Sequence, residues 1–221
     1  MNKSQAEKIA GTIGFPSKMP GTSYGISAEH CKTGAILAKI PGSVCHGCYA
    51  MGGNYVYPSV KAAHAKRESG IDSPHWTAAM VALINWSQQR GKNRLGEPIA
   101  LGWHRWHDSG DIQSVEHLTK ICAVAALTPN VRHWLPTREH AMVREYVKRG
   151  GTVPSNLVIR ISATMIDGPA TAHWPTTSTV HHEQAPASGA HVCPAPLQDN
   201  NCGDCRACWN PAVAQVSYHK H

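Results

Sequence analysis

No stretch of this 221-residue chain approaches the roughly 18 consecutive apolar residues of a membrane-spanning helix. The segment Met1-Asn2-Lys3-Ser4-Gln5-Ala6-Glu7-Lys8 also lacks the apolar centre of a secretory signal. A soluble, cytoplasmic protein with no membrane partner is therefore expected. Internal repeats and low-complexity linkers are absent as well. Charged residues are few, 16% against 42% hydrophobic, the balance of a globular chain rather than a disordered one. The length suits one domain, or one domain with a small appendage. Such a chain buries roughly 70% of its unfolded surface, so it needs no metal merely to form a core.

Against that background the cysteines require another explanation. In a reducing cytosol, eight of them read as metal ligands or reactive thiols before they read as disulfides. Cys122 lies in an apolar stretch and reads as a small buried hydrophobe. The other seven form two groups. Cys45-His46-Gly47-Cys48 is a C-x2-C pair, with Cys31 ahead of it by a 13-residue spacer. No fourth local ligand is evident, although His30 and His46 are candidates. Three thiolates suit a [4Fe-4S] cluster whose fourth iron stays open to a ligand; half a zinc site and a redox pair are the alternatives. Cys193-x8-Cys202-x2-Cys205-x2-Cys208 resembles the ferredoxin-type run, whose tight loops aim successive sulfurs at adjacent corners of a cube. Gly203 eases the first of those turns. Four cysteines make a closed site, with a four-cysteine zinc knot as the alternative.

The formal charge of +7 invites a nucleic-acid reading. Two clusters held by seven thiolates would lower that sum by about three units. The densest basic groups, 61–67 and 138–149, look like ordinary helix faces. Nucleic acid is thus a disfavoured partner, kept open.

Along the chain, residues 1–22 read as an arm, 23–190 as an α/β body and 191–221 as a cysteine-rich appendage. Strands are predicted at 23–27, 99–103, 131–135, 157–161 and 177–181. Helices are predicted at 60–68, 74–90, 114–127 and 139–148, with Ser73 and Pro74 opening the second. The stretch 191–209 reads as loop. This alternation predicts a parallel sheet with outer helices, too short for eight βα units and so a partial, open barrel. Polar clusters follow the strands: residues 104–111, 136–139 and 162–164. Ligands of such sheets sit at the carboxyl ends of the strands, so these loops should converge on one site.

Several motifs resemble the phage gene-product-88 family: Ser23-Tyr24-Gly25 through Cys31, Pro41-Gly42-Ser43-Val44-Cys45-His46-Gly47-Cys48-Tyr49-Ala50, His107-Asp108-Ser109-Gly110-Asp111, Pro136-Thr137-Arg138-Glu139 and Cys202-Gly203-Asp204-Cys205-Arg206-Ala207-Cys208-Trp209. More distantly, their order is similar to that of phage proteins related to spore photoproduct lyase. That resemblance implies the radical S-adenosylmethionine (SAM) superfamily, its partial (βα)6-type barrel and a host-cytoplasm location. It implies that Cys31, Cys45 and Cys48 hold a cluster whose open iron chelates SAM, and that the product is a 5′-deoxyadenosyl radical. Ser109, Gly110 and Asp111 would then contact the SAM amino group, and Arg160 or Ser162 its ribose or carboxylate. An external reductant and an unidentified substrate would be the partners. The second group would hold an auxiliary cluster.

Other candidates stand on their own chemistry. His107 is a candidate general acid–base group with Asp108 orienting it, although adjacent strand residues point to opposite faces. His104 and His107 could instead share a mononuclear site. Arg138 could clamp a substrate carboxylate or phosphate, or pair with Glu139 or Asp111. Trp103, Trp106 and Trp134 read as core before they read as stacking platforms. The competing functional class is a non-catalytic, regulatory protein whose clusters, or zinc plus a cluster, are structural or redox-sensing.

Overall fold

The side chain of Asn2 accepts from the backbone of Gln5, and the Gln5 side chain accepts from the backbone of Asn2. This capping box starts α1 (Lys3–Ala10). Residues that suggest an arm thus form a helix, and Ala6 and Ala10 are buried in the main core. The computed structural model describes residues 1–90, 96, 100–183 and 189–220.

After α1 the chain runs through β1 (Thr22–Tyr24), α2 (Lys32–Leu37), α3 (Pro58–Gly70), α4 (Trp76–Arg90) and β2 (Trp103–Trp106). It continues with α5 (Val115–Ala126), β3 (Arg132–Thr137), α6 (His140–Lys148), β4 (Leu157–Ile166), β5 (Thr177–His181), β6 (His191–Val192) and β7 (Gln215–His219). The seven strands form one open sheet in the order β1-β2-β3-β4-β5-β7-β6, with every pairing parallel. The α/β class and the open, unclosed sheet agree with the sequence pattern.

Two differences have local causes. The strand expected at 99–103 starts where that range ends, because Gly102 (φ +81) turns the chain just before Trp103; Ile99 lies outside the described residues. The loop expected at 191–209 contains the two-residue β6, and β7 follows at its far end. Residues this short in strand leave no period to read.

Strands added in sequence order with right-handed crossovers place their helices on one face. Leu135, Leu157, Ile159 and Ile161 are part of the cluster that contains Trp76, Leu83 and Ile84 of α4 and Leu118 and Ile121 of α5. Residues of the other parity, Trp134 of β3 and Arg160 of β4, instead meet the C-terminal segment. Among the described residues, no helix is long and apolar enough to cross a membrane.

The helix-side core is unusually rich in imidazole. His104, His107, His117 and His133 are all buried, with His107 edge-on to His117 at 5.5 Å and His104 to His133 at 5.4 Å. Burial pushes all four pKa values down, His117 and His133 to about 3. Each stays neutral in the fold at pH values where the unfolded chain is protonated. Their contribution is complete above about pH 6.5 and is lost as pH falls toward about 3. Asp111, raised to about 6 by burial, acts in the opposite sense but is one group. Between pH 6 and pH 5, unfolding should therefore take up about three protons, a loss of about 4 kcal/mol per pH unit. Chemical denaturation across that range measures the slope, and a flat profile would contradict this picture of the core.

Candidate metal centres

The first cysteine group is built by one long excursion between β1 and α3. Cys31 N-caps α2, so the 13-residue spacer is filled by a short helix and a return turn. Thr33 in the first turn donates its backbone N–H and its hydroxyl to Glu139, at 2.8 and 2.7 Å, which ties α2 to the end of β3. The return turn docks on the end of β4: Val44 N donates to Thr164 O at 3.0 Å, and Ile166 N to Gly42 O at 2.9 Å. Gly47, in the left-handed region (φ +70), then turns Cys48 back so that its N–H donates to Cys45 O at 3.2 Å.

Gly34, one turn on in α2, packs directly against the pair: a Cβ there would lie 2.9 Å from Cys31 Cβ, 3.5 Å from Cys31 Sγ and 3.7 Å from Cys45 Sγ. Burial raises the Cys31 thiol to about 12, with Asp111, Cys48, Cys45 and Glu139 adding to the rise. Cys45 is likewise raised by burial, opposed by the nearby Arg138 guanidinium. Thiols held this far up are protonated, so a metal must displace protons to bind. The two histidines considered as fourth ligands are engaged elsewhere. His30 Nδ1 lies 2.6 Å from Glu68 Oε2, and His46 Nδ1 lies 3.1 Å from Ala38 O.

The strand ends gather several expected residues around this group. Asp111 is buried and accepts from Thr137 Oγ1 at 2.6 Å, Ile112 N at 2.8 Å and Arg138 N at 2.9 Å. It thereby ties the loop after β2 to the end of β3, within electrostatic reach of Cys31 and Cys45. Ser109 O accepts from Ile26 N, while its buried Oγ has no partner. Gly110 (φ +77) is required, because a Cβ there would meet Ile26. Arg138 Nε is also buried without a partner; neither of the ion pairs considered for Arg138 is among those of the described residues. Ser162 Oγ receives the Ser178 hydroxyl at 3.0 Å.

Two candidates are placed differently. The His107 ring has both nitrogens unpartnered and faces His117, not Asp108, so the two do not form an acid–base pair. Arg160 is directed away from the first group. Its guanidinium donates to the carbonyls of Cys208, Thr177, Ala207, Asn210 and Val213 at 2.8 to 3.2 Å. A ribose or carboxylate contact is excluded while those bonds stand.

The second group lies on the sheet face opposite the helices. Cys193 N donates to Ser217 O at 2.8 Å, and Cys202 N to Lys18 O at 2.9 Å. Gly203 (φ +49) allows the turn in which Cys205 N donates to Cys202 O at 3.0 Å. Trp209, 2% exposed, packs edge-on against Trp134 at 5.0 Å and donates to His104 O at 2.9 Å. Cys205 Sγ lies 3.3 Å from His191 Nε2 and Cys208 Sγ 3.2 Å from Tyr218 Oη. Burial raises Cys193 and Cys202, and Cys208 to about 12. Cys205 borders a cavity of about 750 Å³, lined also by Trp103, Arg132 and Arg206. Cys122 is buried in the helix-side core, apart from both groups.

Among the described residues, no three His, Cys, Asp or Glu side chains converge closely enough to hold a single metal ion. From sequence Glu139 was read only as a partner for Arg138, and His191 and Tyr218 were not singled out. Glu139 was within reach, as the neighbour of Arg138; one histidine among 15 carries no such signal.

Fold and site together define an open parallel α/β protein that carries two cysteine groups, one at the strand ends and one on the helix-free face. The sequence model described as Gene product 88 matches residues 1–211, and the chain belongs to that family. No curated protein and no solved structure matches it.

Arg160 supplies the test of how the second group is held. Arg160→Lys offers one ammonium where five carbonyls are now bonded, so buried acceptors lose their donors. We expect a loss of about 3 kcal/mol in unfolding free energy and faster amide exchange in 202–213. Unchanged exchange there would mean that the segment is held by other contacts.

Proposed function

We propose that this chain is an iron–sulfur protein, and that it acts as a radical SAM-like enzyme on a substrate yet to be identified. The observation that carries the reading is the Cys31–Cys45 pair packed against one glycine, with Cys48 on the same loop, at the carboxyl edge of a parallel sheet. That edge is where open α/β sheets bind ligands. Three thiolates suit a [4Fe-4S] cluster with one iron left open.

When bound, such a cluster would coordinate SAM at its open iron and supply the electron for its reductive cleavage, drawn from an external reductant. The chain's own residues would position that ligand. Asp111 fills three of about four acceptor sites with its present donors and retains one for an ammonium. Arg138 Nε and Ser109 Oγ are unpartnered donors for a carboxylate or hydroxyl. Arg138 also offsets negative charge at Cys45. Glu139 keeps α2, and Cys31 with it, against the sheet. Cys193, Cys202, Cys205 and Cys208 would hold an auxiliary cluster.

One observation favours a second reading. Arg160, expected on SAM, is committed to the C-terminal carbonyls. A non-catalytic regulatory protein with iron–sulfur or mixed zinc and iron–sulfur sites would need no such residue, and association with nucleic acid belongs to that reading.

Anaerobic reconstitution followed by dithionite and SAM separates the two. The enzyme reading predicts 5′-deoxyadenosine, abolished in Cys45→Ala and reduced about tenfold or more in Arg138→Leu. A fully loaded first group that neither binds SAM nor yields the nucleoside would sink it.

A further inference from the structure

The two cysteine groups sit in opposite electrostatic surroundings. Around the first, Asp111 and Glu139 bear on both Cys31 and Cys45, and Arg138 is the opposing charge at Cys45. Among the described residues, no side-chain donor is hydrogen-bonded to its sulfurs. Around the second, the charges are cationic: Arg105 and Arg206 act on Cys202, and Arg160 on Cys208. Two side chains also reach the sulfurs directly.

The first of these is His191, which opens β6. Its register against Val216 of β7 brings Nε2 to 3.3 Å from Cys205 Sγ. The second is Tyr218, on β7 itself, with its hydroxyl 3.2 Å from Cys208 Sγ. A phenol carries its proton at neutral pH, so the Tyr218 hydroxyl has one to donate. A cluster gains one negative charge, spread over iron and sulfur, when it takes up an electron. Donors and cations beside the sulfurs favour that reduced form, and carboxylates disfavour it.

We propose that His191 and Tyr218 donate hydrogen bonds to the ligating sulfurs of Cys205 and Cys208, and that they set the second cluster at a higher reduction potential than the first. This rests on the reading of both groups as iron–sulfur sites. Each reduction takes one electron and converts a 2+ cubane to a 1+ cubane. With the potentials in this order, an electron delivered to the protein rests on the second group until a ligand at the first draws it.

The test is a dithionite redox titration of the anaerobically loaded protein, followed by electron paramagnetic resonance. Two one-electron waves are expected, the lower one missing in Cys45→Ala. Tyr218→Phe removes only a hydroxyl, and should lower the upper wave by about tenfold in the reduced-to-oxidised ratio, about 59 mV for one electron, with iron content unchanged. His191→Leu should lower it similarly, and His191→Gln, which keeps an N–H donor, should recover part of the shift. Loss of the upper wave in Cys45→Ala would reverse the assignment and overturn the proposal. So would an upper wave indifferent to both substitutions, while the iron–sulfur reading itself would survive either result. Zinc in the second group, or no iron in either, would overturn both.

Discussion

Laying β1 to β5 side by side in sequence order puts the crossover helices α4, α5 and α6 on the same face of the sheet, and much of this molecule follows from that constraint. One face of β2 to β4 is covered by α4, α5 and α6 through an apolar core. The other face would be bare, with Trp103, Trp134 and Val158 turned to water. The C-terminal segment covers it. Trp209 enters between Trp103 and Trp134, and Arg160 reaches up from β4 to bind five carbonyls of the chain around it. A segment with few apolar side chains is thereby held by one aromatic wedge and one guanidinium. Under the proposed function, a cluster on the four thiols of the same segment would add a cross-link.

The other consequence is that the carboxyl edge of the sheet stays open. The loops after β1, β2, β3 and β4 all end there, and polar contacts tie them to one another. Asp111 joins the second to the third, Glu139 joins the third to the cysteine excursion, and the 42–44 turn joins that excursion to β4. The first cysteine group is thus suspended from three strands. Its sulfurs are positioned by contacts of the chain itself, the preorganisation that the proposed cluster would require.

Much of this was legible in the residues. The helix read at 114–127 is α5, with Ser114 as its cap, and Thr177–His181 is β5 residue for residue. The convergence of residues 109–111 and 137–139 follows from the strand order. Other features were not legible for physical reasons. The role of Arg160 depends on carbonyls lying 17 to 53 residues away, and a carbonyl has no sequence signature. β6 is two residues long and exists only because β7 offers it an edge. The capping box of α1 was present in Asn2 and Gln5, but glycine and proline beyond it dominated the reading. His107 shows the opposite error: beside Asp108 it suggested proton transfer, whereas its positive φ of 53 turns it into the imidazole core.

The account stands or falls on two separate clusters, one for each cysteine group. Mössbauer spectroscopy of iron-enriched protein isolated without oxygen examines this most directly, with zinc measured on the same sample. Two cubane populations of equal area are predicted, one lost in Cys45→Ala and the other in Cys202→Ala. Zinc in place of either population, or a single population that survives both substitutions, would contradict the account.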